Sequence, residues 1–485
     1  MNLIRSFSGQ PAARFFLLAG GIAGLLLLLL TPPFQAPDEV NHFYRAWQVS
    51  EGQWAPLKEN ERLGGYVPES VRQFTQPFLK LRFDPSTRTS RSAILAAGNI
   101  PLQPEQKVFV DFPNTAFYSP VCYAPQAFAI FVLRKMNATP LQIYYLQRAA
   151  VFLCWLLIVF AALRTLPGMK WLFTLLALLP MSVFINCSTS ADTLTNAVAF
   201  YFLAFVLKCA TQKEQLKRAA FFILLLLSAG IALVKPGYTP LLLLLFLLPR
   251  SIFASRKMYA INILLLLLPA IVITIVWSAA YGKLYTPYEA YNPAFRNGID
   301  LNLGANAAEQ LARLKAHPGI AVSVFVHSVA GNAQQFSGSY IGKLGWMDTA
   351  IPVWFILLAW AMIATTIFFD SEKIPLRKSQ VLLLAVTLLL LLGLIIFSQY
   401  LTWEPVGAAR DTILQGRYFH PGIPAAFPRA AGGSCKKTQE DGTAGFTVQH
   451  DRARHYVSDR LLPVLRLIRK NSGRQFIRAR LANIF

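Results

Sequence analysis

The sequence predicts an all-α polytopic membrane protein, a bundle of about nine transmembrane helices with two large extracytoplasmic loops. Three observations predict it. The 485 residues are 55% hydrophobic and only 14% charged. The apolar residues come in long uncharged runs, which is how spans read in a sequence. The basic residues collect in the short segments between those runs.

The uncharged runs cover residues 15–37, 149–163, 171–191, 193–207, 219–234, 236–249, 258–282, 349–369 and 379–403. Several are shorter than the roughly 20 residues of a full span, so flanking basic side chains must snorkel to complete them. No small-residue cleavage site follows the first run, so it is expected to stay as an uncleaved span.

Orientation follows from the loops. Segments 163–170, 208–218, 250–257 and 370–378 together hold 12 basic and 3 acidic residues, whereas 38–142 holds 11 and 9. The short basic loops belong inside and the long balanced one outside. The N-terminus is then cytoplasmic, and loops 38–142 and 283–348 share the outer face with Asp192, Lys235 and residues 404–420. Run 120–133 holds two prolines and is short, so it is expected to lie in the outer interface. Both flanks of 219–249 are basic, which requires a hairpin turning at Lys235-Pro236-Gly237-Tyr238. Within the second loop, 307–314 has helical spacing and stops at His317-Pro318.

The net charge of +23 is accounted for by these inner loops and a basic tail, and no nucleic-acid motif accompanies it. The cysteines Cys122, Cys154, Cys187, Cys209 and Cys435 form no metal spacing. There is no Walker loop, no GxGxxG and no Ser-His-Asp order.

Chemistry concentrates at residues 31–54, TPPFQAPDEVNHFYRAWQVSEGQW. The acids Asp38 and Glu39 follow the first span directly, a setting that suits a general base or a cation ligand. A helix from Pro37 would put Asp38, His42 and Arg45 on nearby turns. An acid such as Asp192 would cost about 2.5–3.5 kcal/mol at mid-bilayer, so it must sit near an interface or face a cavity. There it also serves, with Ser190, as a candidate N-cap for the next span. Lys235, Arg148 and Arg417 read either as snorkelling cations or as partners for a lipid-linked phosphate. His317 and His327 have no nucleophile beside them. A divalent cation, Mg or Mn, held by Asp38 and Asp192 is a further option that oxygen ligands alone do not establish.

PPFQAPDEVNHFYRAWQVSEG, NTAFYSPVCYAPQ, LLPMSVFINCSTSADTLTNA, LVKPGYTPLL, GKLGWMDTAIP and LQGRYFHP, in this order, resemble the bacterial membrane-protein family of domain of unknown function 2142. That family is similar in layout to the GT-C class of glycosyltransferases. The resemblance covers about residues 12–424. It implies a GT-C-like domain in the bacterial inner membrane that uses a sugar on undecaprenyl phosphate at the outer face. The acceptor would be a cell-envelope glycan or a protein, and no nucleic acid would take part. It places the class's acidic motifs on Asp38-Glu39 and on Asp192; catalysis is expected on Asp38 and Glu39, and substrate binding on His42, Arg45, Arg148, Asp192, Lys235, Trp346, Asp348 and Arg417. A flippase of lipid-linked glycan and a non-catalytic scaffold are the alternatives. A flippase calls for charges within spans and inverted halves, and neither is evident. After Pro421 the chain departs from the family, which continues into further apolar spans. Residues 425–485, with 12 basic and 4 acidic residues, are expected to be an aberrant or disordered tail.

Overall fold

The computed structural model describes residues 10–296, 304–370, 372–411, 414–420 and 422. The predicted tail at 425–485 lies outside the described residues. The architecture is helical, with two small antiparallel sheets.

Five helices are long and apolar enough to cross a membrane. They are α1 (Pro11–Leu30), α6 (Pro140–Thr165), α9 (Asp192–Thr211), α11 (Arg256–Tyr281) and α16 (Lys378–Thr402). Between α1 and α6 come α2 (Glu39–Ser50), β1 (Leu57–Glu59), β2 (Arg62–Pro68), α3 (Glu69–Leu79), α4 (Arg91–Ala97), β3 (Lys107–Asp111) and α5 (Ala124–Lys135).

The remaining apolar runs fold into shorter pieces, so length supports five spans where the sequence predicts nine. Run 171–191 breaks at Pro180 into α7 (Lys170–Ala177) and α8 (Pro180–Asn186), because proline cannot donate into the preceding turn. Run 219–249 becomes α10 (Arg218–Val234) and a 3-10 stretch, Pro236–Leu247, parting at an extended Lys235. The second loop carries α12 (Ala307–Ala316), α13 (Pro318–Gly331) and α14 (Ala333–Ile341), with α12 ending at His317. A short hairpin, β4 (Lys343–Leu344) and β5 (Thr349–Ala350), precedes the 17-residue α15 (Val353–Phe369).

Large apolar side chains stay exposed along these helices, among them Leu29, Leu226, Ile275, Leu357 and Leu382. Such a belt is stable only against lipid. Inside the bundle, α1 meets α6 closely at Gly24, where a Cβ would fall 1.9 Å from the Phe152 ring. Small residues let helix backbones approach in this way.

The bundle has two distinct ends. At one, the basic segments meet: Leu216 N–H donates to the Ile252 carbonyl at 2.9 Å. There too Trp171 and Leu172 N–H donate to Asp370 at 3.1 and 3.2 Å, and Lys170 lies 3.6 Å from Glu372. At the other end sit Asp38, Asp192, Lys235 and the C-terminus of α16. Run 120–133 forms a 3-10 turn and the 12-residue α5, too short to cross a bilayer.

A second core holds this end together. Phe34, Phe43, Trp47, Phe74, Phe78 and Tyr144 are buried in one cluster. Phe34 adopts φ 62°, its N–H donates to Tyr144 Oη at 2.8 Å, and its carbonyl accepts from Trp346 Nε1 at 2.9 Å. The β1-β2-β3 sheet covers the cluster, with Gly64 opposite Asp111. Arg62 grips Asp111 through two nitrogens at 2.7 and 3.1 Å. Tyr291, from the second loop, donates to Asp111 at 2.5 Å, which ties the two loops together.

Candidate functional site

The chain leaves α1 through a proline-rich turn and enters α2 at Asp38, which has φ 60°. That left-handed residue decides what the two adjacent acids can do. Asp38 points into a cavity of about 700 Å³. Glu39 points the other way and is fully buried.

Glu39 accepts from Ala36 N–H at 3.2 Å and Thr189 N–H at 3.0 Å. Arg148 Nε lies 3.4 Å from the same carboxylate and donates to the Cys187 carbonyl at 2.7 Å. The pair clamps α2 to α6 and to the turn before α9, and neither residue lines the cavity. Arg45 is buried as well. It donates to Gln48, to the Trp54 carbonyl at 2.6 Å and to the Tyr118 carbonyl at 3.1 Å, so it holds loop backbone away from the cavity. Asp348 sits in the β4–β5 turn, accepts from Thr349 at 3.0 Å and lies outside the cavity lining.

The others converge. Asp38 Oδ1 accepts from Asn114 at 3.2 Å, and its Oδ2 lies 3.5 Å from Arg417. Arg417 is also 3.9 Å from Asp192, whose other oxygen accepts from Lys235 at 2.9 Å. Two acids and two cations, distant in sequence, thus alternate in one network. Ser190 Oγ accepts from Asp192 N–H at 3.1 Å, which fixes the start of α9. Lys235 lies 5.2–5.9 Å from the ring centres of Tyr118, Tyr418 and Tyr238, a cation–π cage. Burial works against the Arg417 charge, but Tyr418, Asp192 and Asp38 more than offset it and hold its pKa above the ordinary value.

His42 lines the same cavity. Burial pushes its imidazole down to about 3, with Asp192 pulling upward and Lys235 and Arg417 downward. It is therefore neutral at pH 7. Its Nδ1 faces Tyr123 Oη at 2.7 Å and Ala191 N–H at 3.5 Å, and its Nε2 lies 3.4 Å from Ser190 Oγ.

Arg417 reaches the network because Gly416 lies flush on α14. A Cβ there would be 2.4 Å from both the Phe336 carbonyl oxygen and Tyr340 N. Trp346 lines the cavity mouth beside Phe83, with ring centres 5.0 Å apart.

Among the described residues no three His, Cys, Asp or Glu gather in a ligating group, and Asp38 and Asp192 each face a cation.

Sequence reasoning missed the tyrosine cage, Asn114 and the polar end of α16. The tyrosines had a local signal, since KPGY and GRYF each place an aromatic beside the cation.

The family model for a predicted membrane protein, DUF2142, matches residues 22–426. The chain belongs to this family. No curated protein and no solved structure matches it. The DUF2142 assignment together with the apolar helices makes it a membrane protein.

A second cavity abuts the first. It is an apolar groove of about 780 Å³ between the Pro236–Leu247 stretch, α11 and α16. Tyr238 and Ile395 line the polar cavity, and their neighbours Thr239 and Leu394 line the groove. In this DUF2142 chain a charged, aromatic-lined chamber thus has an apolar groove beside it.

Proposed function

We propose that this protein is a GT-C-like glycosyltransferase, moving a sugar from a polyprenyl phosphate to a cell-envelope glycan or protein at the outer face of the bacterial inner membrane. The observation that carries the reading is the network of Asp38, Arg417, Asp192 and Lys235 in a cavity that abuts an apolar groove. An amphiphile with an anionic head and a long hydrocarbon tail fits both.

In the reaction, an acceptor hydroxyl attacks the anomeric carbon of the donor. Asp38 takes the hydroxyl proton. The new C–O bond forms as the bond from the anomeric carbon to the phosphate oxygen breaks, with inversion, and the electron pair leaves on that phosphate. Lys235 and Arg417 stabilise the charge building there. The low pKa of His42 makes it a poor base near neutrality, so it positions the Ser190–Asp192 turn. Glu39 and Arg148 hold the site in place from behind.

On this reading the chain passes nine times, through α1, α6, α7–α8, α9, α10, the Pro236–Leu247 stretch, α11, α15 and α16, and the short passes rely on the longer rise of the 3-10 stretch and on snorkelling ends. The site end then faces outward, the basic end inward, and the N-terminus lies in the cytoplasm.

The test supplies purified protein in nanodiscs with radiolabelled polyprenyl-phosphate sugars and membrane extract. Label transferred by the wild type and lost in Asp38→Asn is the expected result. Undiminished transfer by Asp38→Asn removes the base role. Movement of the lipid across a bilayer without bond formation replaces transferase with transporter.

A further inference from the structure

Asp38 is held at both carboxylate oxygens. Oδ2 lies 3.5 Å from Arg417, and Oδ1 accepts from Asn114 Nδ2 at 3.2 Å. A guanidinium beside a carboxylate tends to draw both oxygens into a two-pronged pair. Here Arg417 faces one of them, and a neutral amide occupies the other.

Packing delivers that amide. Phe112, Thr115 and Ala116 are buried, and the N–H groups of Thr115 and Ala116 both donate to the Phe112 carbonyl, at 3.1 and 2.9 Å. Thr115 Oγ1 donates to the Asn41 carbonyl at 3.1 Å, which pins this turn to α2 just after Asp38. The same segment brings Tyr118 to Lys235.

The direction of the amide is fixed as well. A carboxylate accepts and does not donate, so Asn114 must turn its NH2 toward Asp38. Its oxygen then faces Asn41, whose Nδ2 donates to it at 2.7 Å. Donors thus run one way, from Asn41 to Asn114 to Asp38. Asn41 is buried and does not line the cavity, whereas Asn114 lines it together with Asp38.

We infer that Asn114, oriented by Asn41, is a positioning residue for the base: it holds Oδ1 of Asp38 clear of Arg417, with a lone pair left for the acceptor hydroxyl. The inference rests on the proposed transferase reading and says what keeps Asp38 usable beside a buried cation. Without this donor the carboxylate would turn about its Cβ–Cγ bond and pair with Arg417 through both oxygens.

The experiment uses the full chain in nanodiscs with radiolabelled polyprenyl-phosphate sugar and membrane extract, and reads kcat, KM for the donor lipid and binding of bare polyprenyl phosphate. Asn114→Ala is expected to lower kcat about 10- to 100-fold, the scale for a reacting group misplaced by about 1 Å. KM for the donor should stay within about twofold, and retained binding of the bare lipid shows that the variant is folded. Asn114→Ser, whose hydroxyl is too short to reach Asp38, should fall alike. Asn41→Asp is the sharper variant. It keeps the side-chain shape, but its carboxylate would claim the Asn114 NH2 and turn the Asn114 oxygen against Asp38. Its kcat should drop as far as that of Asn114→Ala. In an Asp38→Asn background Asn114→Ala should cost nothing further, because the group it positions is already gone. Wild-type kcat in both Asn114 variants, or in Asn41→Asp, overturns the inference and leaves Asp38 as the base. So does a loss in Asn114→Ala that multiplies in full on Asp38→Asn, or one matched by an equal loss of bare-lipid binding. An Asp38→Asn protein that transfers like the wild type removes the base role, and this inference with it.

Discussion

Replacing Glu39 by Gln separates a structural acid from a chemical one. Glu39 and Arg148 are 0% and 1% exposed, so solvent screens neither. The substitution keeps an oxygen for Thr189 N–H, now 3.0 Å away. The new amide nitrogen would face Ala36 N–H, now 3.2 Å from the second carboxylate oxygen, donor against donor. Arg148 would also lose its charge partner while fully buried. Removing one partner of a buried pair costs about 3–5 kcal/mol. For a chain of 485 residues that lowers Tm by about 3–5 °C. The assay is thermal unfolding of the detergent-solubilised protein followed by size-exclusion fluorescence. Glu39→Gln/Arg148→Met should recover part of the loss, because an apolar pair leaves no stranded charge. A Glu39→Gln protein that melts with the wild type, or a double variant less stable than the single, would refute the reasoning.

Other outcomes follow from the same geometry. Asp38 is partly exposed, with 29% of its side chain accessible, so Asp38→Asn should leave Tm nearly unchanged while lowering transfer about 10²- to 10⁴-fold. Arg417→Met removes the cation between two acids and should weaken bare polyprenyl phosphate by about 2 kcal/mol, roughly 30-fold in a binding assay. The depressed pKa of His42, about 3 against an ordinary 6.5, gives a stability contribution present above pH 6.5. It is lost as pH falls toward 3, because the unfolded chain takes up a proton that the folded one excludes. The expected slope is about 1.4 kcal/mol per pH unit, and His42→Gln should flatten it in denaturation curves recorded from pH 7 to 4. Gly416→Ala should displace the Arg417 segment from α14 and lower both Tm and transfer, since the added carbon meets backbone atoms that cannot rotate away.

The sequence by itself determined the membrane class, because hydrophobic runs of span length and their basic flanks act through composition and spacing alone. It also picked out Asp38, Asp192, Lys235 and Arg417 as charges at the margins of apolar runs, where a charge is costly enough to stand out. It marked the break at Lys235 and the stop at His317, since proline acts locally. Only the tertiary structure decided how those charges divide. Successive residues of a helix point about 100° apart, and the left-handed backbone at Asp38 adds a turn, so neighbouring acids face a cavity and a buried arginine respectively. Arg45 and Arg148 read like substrate cations in the sequence, but the fold sets their guanidinium groups among backbone carbonyls and a carboxylate. Proline at 180 splits a run that counts as one span by hydropathy.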